Sequence, residues 1–162
     1  RVPLSPPRTA RATAPVAAVL LVGMTVALGA GVAAVATTVG SPAAPAPTAT
    51  FSLDAEADKI TVTHDGGDPI AVDALRVRVR VNGDPLARQP PVPFFSSAGF
   101  RPGPTGVFNA AGSTEWTVGE SASFRVAGTN DPVPAAGDRL TLRLSVRGQP
   151  VATLETTVRA GG

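Results

Sequence analysis

The stretch LRVRVRVNGDP, Leu75 to Pro85, alternates apolar and basic residues with a period of two. Successive side chains of a strand point to opposite faces. Val77, Val79 and Val81 therefore share one face, Arg76, Arg78 and Arg80 share the other, and Asn82-Gly83 supplies a hairpin-competent turn. One face is written for a core and the other for water.

The same design returns in RLTLRLSVRG, residues 139–148, with Leu140, Leu142, Leu144 and Val146 inward and Thr141, Arg143, Ser145 and Arg147 outward. In SASFRVAG, Ala122, Phe124 and Val126 form the inward set. Runs near 49–54, 58–64, 70–81, 106–109, 113–118, 121–128, 138–147 and 150–158 give about eight candidate strands at the spacing of a sandwich. No amphipathic helix separates them. Residues 51–162 thus read as an antiparallel β-sandwich of Ig-like aspect. Residues 88–106 carry five prolines and three phenylalanines, which predicts a long loop packed by Phe94, Phe95 and Phe100, or else one presenting them for contact. Packing is the favoured reading.

Upstream the solvent changes. From Ala12 to Leu53 no residue carries a charged side chain. Residues 14–39, as a helix rising about 1.5 Å per residue, would reach roughly 39 Å, above the roughly 30 Å hydrocarbon thickness. The segment exceeds the apolar core of a secretory signal peptide, about 7 to 15 residues. Arg1, Arg8 and Arg11 precede it, so the positive-inside rule keeps the N-terminus cytoplasmic. Pro42, Pro45 and Pro47 stop it and make a semi-stiff spacer. Small residues at Gly23, Ala27, Ala30, Gly31 and Ala34 would let helix backbones approach closely. The expected organisation is a basic leader (1–12), a hydrophobic transmembrane or filament-core helix (13–40), a Pro-rich connector (41–50) and an extracellular β-sandwich (51–162). The expected class is therefore α+β, a long N-terminal hydrophobic α-helix followed by the sandwich.

Composition narrows the chemistry. The 162 residues include no Cys, which removes disulfides, thiolate metal sites and cysteine nucleophiles. Beyond the leader, eleven basic residues face twelve acidic ones, so the basic balance is a property of the leader and nucleic acid is not an expected partner. His64 is the single histidine. Asp65 and Asp68 flank it, but a transition-metal site ordinarily needs three or four converging ligands, and no P-loop, nucleophile elbow or zinc-protease motif is present. Asp65-Gly66-Gly67-Asp68 reads instead as a tight turn after a strand ending at His64, with a weak cation site as the lesser reading. The outward arginines at 76, 78, 80, 143 and 147 could attract an anionic partner, although bare alternation ordinarily makes a solvated face. No catalytic residues, metal site or cofactor are expected, and the chain does not read as an enzyme.

Arg11-Ala12-Thr13-Ala14-Pro15-Val16, followed by Val19-Leu20-Leu21-Val22-Gly23-Met24-Thr25-Val26-Ala27-Leu28, resembles the leader junction and hydrophobic segment of archaeal type IV pilins, especially those of haloarchaea. Thr63 to Ile70 is similar to a turn in the same proteins. The resemblance implies cleavage by a prepilin peptidase between Ala12 and Thr13, with Arg11 before the cut. It further implies assembly through a helix bearing Pro15, Val16, Val19, Leu20, Gly23, Ala27, Ala30, Gly31 and Ala34. The expected partners are copies of the chain in a helical homopolymer, the peptidase and assembly machinery, and the membrane before assembly. The expected location is a cell-surface filament, with adhesion as its role. Two other readings stay open: a single-pass anchored β-sandwich that binds a ligand without polymerising, and a secreted lectin-like or envelope structural domain.

Overall fold

Leu75, Val77, Val79 and Val81 are buried and Arg76, Arg78 and Arg80 are exposed, the alternation that period two requires. This strand belongs to a computed structural model that describes residues 44–162. Its elements are β1 (Ala49–Glu56), β2 (Lys59–Gly67), β3 (Ile70–Ala71), β4 (Leu75–Val81), β5 (Asp84–Pro85), β6 (Glu115–Trp116), β7 (Ser121–Arg125), β8 (Arg139–Val146) and β9 (Gln149–Thr157). They form a three-stranded sheet β1-β2-β7, a four-stranded sheet β5-β4-β8-β9 and a small β3-β6 pair, all antiparallel.

Both larger sheets contribute to one core. Phe51, Ile60, Val62 and Phe124 from the first join Val77, Val79, Leu142 and Leu144 from the second in a single buried cluster. Two sheets that bury their inner faces against one another in this way make a β-sandwich. At one corner the chain beyond β9 returns to β1: Arg159 donates its backbone N–H to the Ala55 carbonyl at 2.9 Å, and Ala57 donates to the Arg159 carbonyl at 2.8 Å. That parallel bridge ties the two sheets together at their edges.

The α+β expectation is corrected. The described residues are mainly strand and hold no helix of seven or more residues; the helical pieces are single 3₁₀ turns at Val72–Ala74 and Gly106–Phe108. Within the described residues the physical reason is periodicity: apolar positions of the long strands recur every second residue, a spacing that no helix can direct to one side. The expected hydrophobic helix, 13–40, and the leader, 1–12, lie outside the described residues. Among the described residues no helix is long and apolar enough to cross a membrane.

Two strand boundaries also differ from expectation. The run 70–81 is two strands, because the 3₁₀ turn at Val72–Ala74 redirects the chain and buries Val72. The run 106–109 is a 3₁₀ turn that buries Val107 and Phe108.

The Pro-rich loop is mostly packed. Phe94 and Phe100 are buried, while Phe95 stays 64% exposed. The loop also protects an edge: Arg101 donates its N–H to the Arg125 carbonyl at 2.9 Å and Thr105 donates to the Ser123 carbonyl at 2.8 Å, which occupies the open side of β7 and blocks edge-to-edge pairing there. Asn130, 5% exposed, anchors its start by accepting from the Arg88 N–H at 3.0 Å and donating to the Arg88 carbonyl at 2.9 Å.

Candidate functional site

The histidine segment is built by β1 and β2. Phe51 pairs with His64 and Thr50 with Gly66, so Asp65 is the extra residue of a β-bulge. The expected tight turn after His64 is therefore corrected: β2 continues through Asp65 and Gly66 to Gly67. Gly67 sits at φ +97°, and a Cβ there would collide with the Thr48 carbonyl oxygen and the Ala49 Cα. Only glycine fits that left-handed, crowded position. Asp68 then clasps the incoming chain twice, donating its N–H to the Thr48 carbonyl at 2.8 Å and accepting from the Thr48 N–H at 2.9 Å.

His64 is fully buried. Its Nε2 lies 3.1 Å from the Asp68 carbonyl oxygen; a carbonyl only accepts, so Nε2 is the donor. Nδ1 has no hydrogen-bond partner among the described residues. The ring packs edge-on to Phe51 at 4.8 Å between centroids and tilted to Trp116 at 6.1 Å. Asp65 accepts from the Ser52 hydroxyl at 3.2 Å. The three titratable side chains are thus each committed to a different neighbour. Among the described residues no group of three or more His, Asp or Glu could hold a metal ion.

An aromatic chain that the sequence does not reveal runs on from His64. Phe51 meets Trp116 at 5.0 Å, Trp116 meets Phe108 at 5.3 Å, Phe108 meets Phe124 at 5.8 Å, Phe124 meets Phe100 at 5.6 Å and Phe100 meets Phe94 at 5.6 Å. These residues come from β1, β6, β7 and two loops, so no local spacing could have found them. Tilted and edge-on pairs of this kind each contribute about 0.5–1.5 kcal/mol beyond area burial. The histidine ring is therefore one end of the core's aromatic spine.

The outward face of β5-β4-β8-β9 has a different character. Arg78 stands directly opposite Arg143, Arg76 opposite Ser145 and Arg80 opposite Thr141. On β9, Thr153 faces Arg143 and Glu155 faces Thr141. Arg147 departs from the expected stripe, because it lies in the β8–β9 turn at φ +52°. The described ion pairs join Arg101 and Arg125 to Asp58 and Arg159 to Asp54; none involves Arg76, Arg78, Arg80, Arg139 or Arg143. A cavity of about 270 Å³ opens among Arg78, Arg80, Arg143, Thr141 and Gln89. Gln89 holds its rim by accepting from the Val79 N–H at 2.7 Å and donating to the Val79 and Leu86 carbonyls at 3.0 Å. Its side chain substitutes for strand pairing where β5 has ended.

A larger cavity of about 460 Å³ beside Gly106, Asn109, Ser113 and Glu120 is chemically quieter. Asn109 donates to the Pro104 carbonyl, Ser113 to the Glu115 carbonyl, and the Glu120 carboxylate accepts from Thr117 twice. Its polar lining is already occupied by the fold.

Of the residues singled out from the sequence, His64, Asp65, Gly66, Gly67 and Asp68 are brought together as a bulge and clasp. Arg11, Ala12 and Thr13 of the expected cleavage junction lie outside the described residues. So do Pro15, Val16, Val19, Leu20, Gly23, Ala27, Ala30, Gly31 and Ala34 of the expected assembly segment. Comparison with known proteins finds no family model and no curated protein that matches the chain.

Proposed function

We propose that the chain is the structural subunit of an archaeal type IV pilus-like surface filament, cut by a prepilin peptidase between Ala12 and Thr13 and polymerised through its apolar N-terminal segment. The observation that carries this reading is the junction Arg11-Ala12-Thr13-Ala14-Pro15-Val16 leading into a run with no charged side chain as far as Leu53. A segment of that composition has two favourable surroundings, a bilayer or the apolar segments of its neighbours. Removal of the basic leader would free it to exchange the first for the second. A self-contained β-rich region whose first strand starts at Ala49 suits the outer layer of such a polymer, since its own core is complete without a partner. No cofactor is part of the proposal, and the role is adhesive rather than enzymatic.

The arginine-bearing sheet favours a second reading, a single-pass anchored binding domain that does not polymerise. Mass spectrometry of the N-terminus in sheared surface filaments and in membranes separates the two. A start at Thr13 in sheared fibres supports the filament subunit. An intact leader confined to membranes supports the anchored domain, and a start near Ser41 refutes both.

A further inference from the structure

We infer that the outward face of β4, β8 and β9 is a binding surface for an acidic polysaccharide, one bearing carboxylate or sulfate groups along a linear chain. The inference uses only residues 75–157 and holds whichever N-terminus the mature chain carries.

Arg78 and Arg143 are cross-strand neighbours, a like-charge placement that costs stability in an antiparallel pair. Arg76 and Arg80 extend the charge along β4 in steps of two residues, about 6.6–6.8 Å, and Arg139 extends it along β8. Glu155 is the acidic side chain at the outward positions of β4, β8 and β9, and it accepts from the Thr141 hydroxyl at 3.5 Å with no arginine paired to it among the described residues. Arg76 and Arg80 each donate to a backbone carbonyl, of Leu75 at 3.3 Å and of Gly83 at 3.2 Å, but among the described residues no carboxylate pairs with the arginines of this face, which marks a surface whose counter-charge comes from outside.

On a second copy of this chain two carboxylates beside the opposite sheet are already committed, Asp54 to Arg159 at 2.6 Å and Asp58 to Arg101 at 2.8 Å and Arg125 at 3.0 Å, so a like copy meets the arginines with fewer free carboxylates than its acid count suggests. Single-stranded nucleic acid is disfavoured because the face has no aromatic side chain on which bases could stack. A lipid surface is disfavoured because the outward positions carry no apolar anchor. What the face does offer is guanidinium forks, which match carboxylate and sulfate oxygens in pairs, interleaved with the hydroxyls of Thr141, Ser145 and Thr153. Hydroxyl donors and acceptors beside cations suit a sugar chain with an acidic group on each unit.

The test is binding of the full chain, held in nonionic detergent, to fluorescent alginate and to dextran sulfate, with neutral dextran, oligothymidylate, polyglutamate and phosphatidylglycerol vesicles as competitors. The expected result is binding to alginate or dextran sulfate that weakens as salt rises, a tenfold or greater loss in R78S/R143T, and less than a twofold change in K59T/R88S, which removes the same charge elsewhere. The unfolding midpoint of R78S/R143T should equal or exceed that of the parent, which excludes misfolding as the cause. The inference is overturned if R78S/R143T binds as the parent does, if K59T/R88S loses as much, if neither acidic polysaccharide binds, or if any competitor binds more tightly.

Discussion

His64 and Trp116 hang from the same acceptor: the Glu120 carbonyl receives the His64 backbone N–H at 3.0 Å and the Trp116 Nε1–H at 2.9 Å. Both side chains are fully buried, so this one oxygen fixes where the β6–β7 connection meets β2. Trp116→Phe keeps a ring in the spine but removes one donor and leaves a gap. We expect a loss of about 1–3 kcal/mol, measured by urea denaturation followed by circular dichroism, since the chain's single tryptophan is the residue replaced. A loss below about 0.5 kcal/mol would show that the shared acceptor contributes little.

Glycines at positive φ separate into two kinds. Gly67→Ala meets both backbone strain at φ +97° and collision with Thr48 and Ala49, whereas Gly83→Ala meets strain at φ +92° with open space around it. Gly83→Ala should therefore cost about 1 kcal/mol and Gly67→Ala clearly more, read as the difference in urea midpoints. Equal losses would mean that crowding at Thr48 is relieved by a small backbone shift.

Asn130 stitches the Pro-rich loop to the following turn, donating to the Arg88 and Gly99 carbonyls and accepting from the Arg88 and Asp131 N–H groups. Asn130→Ala removes four hydrogen bonds at once, one buried and three part-buried, each contributing about 0.5–1.5 kcal/mol. The expected outcome is faster proteolytic cleavage within 88–106 at temperatures where the parent resists. Unchanged cleavage would show that the loop is held by Phe94 and Phe100 alone.

Asp138 titrates below the ordinary aspartate value, chiefly because the Asn82 side chain donates to its carboxylate and next because the Ala135 N–H does, with burial opposing weakly. A depressed folded value means that the ionised form stabilises the fold. That contribution is complete above about pH 4, the ordinary aspartate range, and fades as pH falls through the lower folded value. Asp138→Asn should lower the unfolding midpoint at pH 7, with the gap to the parent closing toward pH 3. A gap independent of pH would assign the effect to lost geometry instead of charge.

Arg78 and Arg143 repel across β4 and β8, so Arg143→Thr should raise stability by about 0.2–1 kcal/mol at low salt, with the gain shrinking as salt screens the pair. Thermal unfolding at two ionic strengths reads both quantities. Destabilisation at low salt would show that the Arg143 stem contributes more by packing than its charge costs.

The strands were legible wherever one face is dry and the other wet. LRVRVRV and RLTLRLSV state their faces residue by residue, and the structure buries Leu75, Val77, Val79 and Val81 against Leu140, Leu142, Leu144 and Val146 as written. Short elements were not legible. β3 and β6 are two residues each, too short for a period to appear, and the 3₁₀ turn at Gly106–Phe108 imitates a buried strand because its apolar residues are consecutive. The histidine segment looked like a turn because Gly66-Gly67 permits one; the bulge at Asp65 depends on how β1 is registered against β2.

The sequence by itself determined which residues of β4, β7 and β8 face the core, the absence of cysteine chemistry and the uncharged N-terminal run, because period, composition and charge are properties of the chain in order. Tertiary structure alone decided that Arg78 would stand opposite Arg143, that six aromatic rings from distant segments would form one spine, and that Asp58 would be neutralised by Arg101 and Arg125. Each is a pairing across sequence, set by strand register and by how two sheets close on a common core, and no local pattern encodes which distant residue arrives.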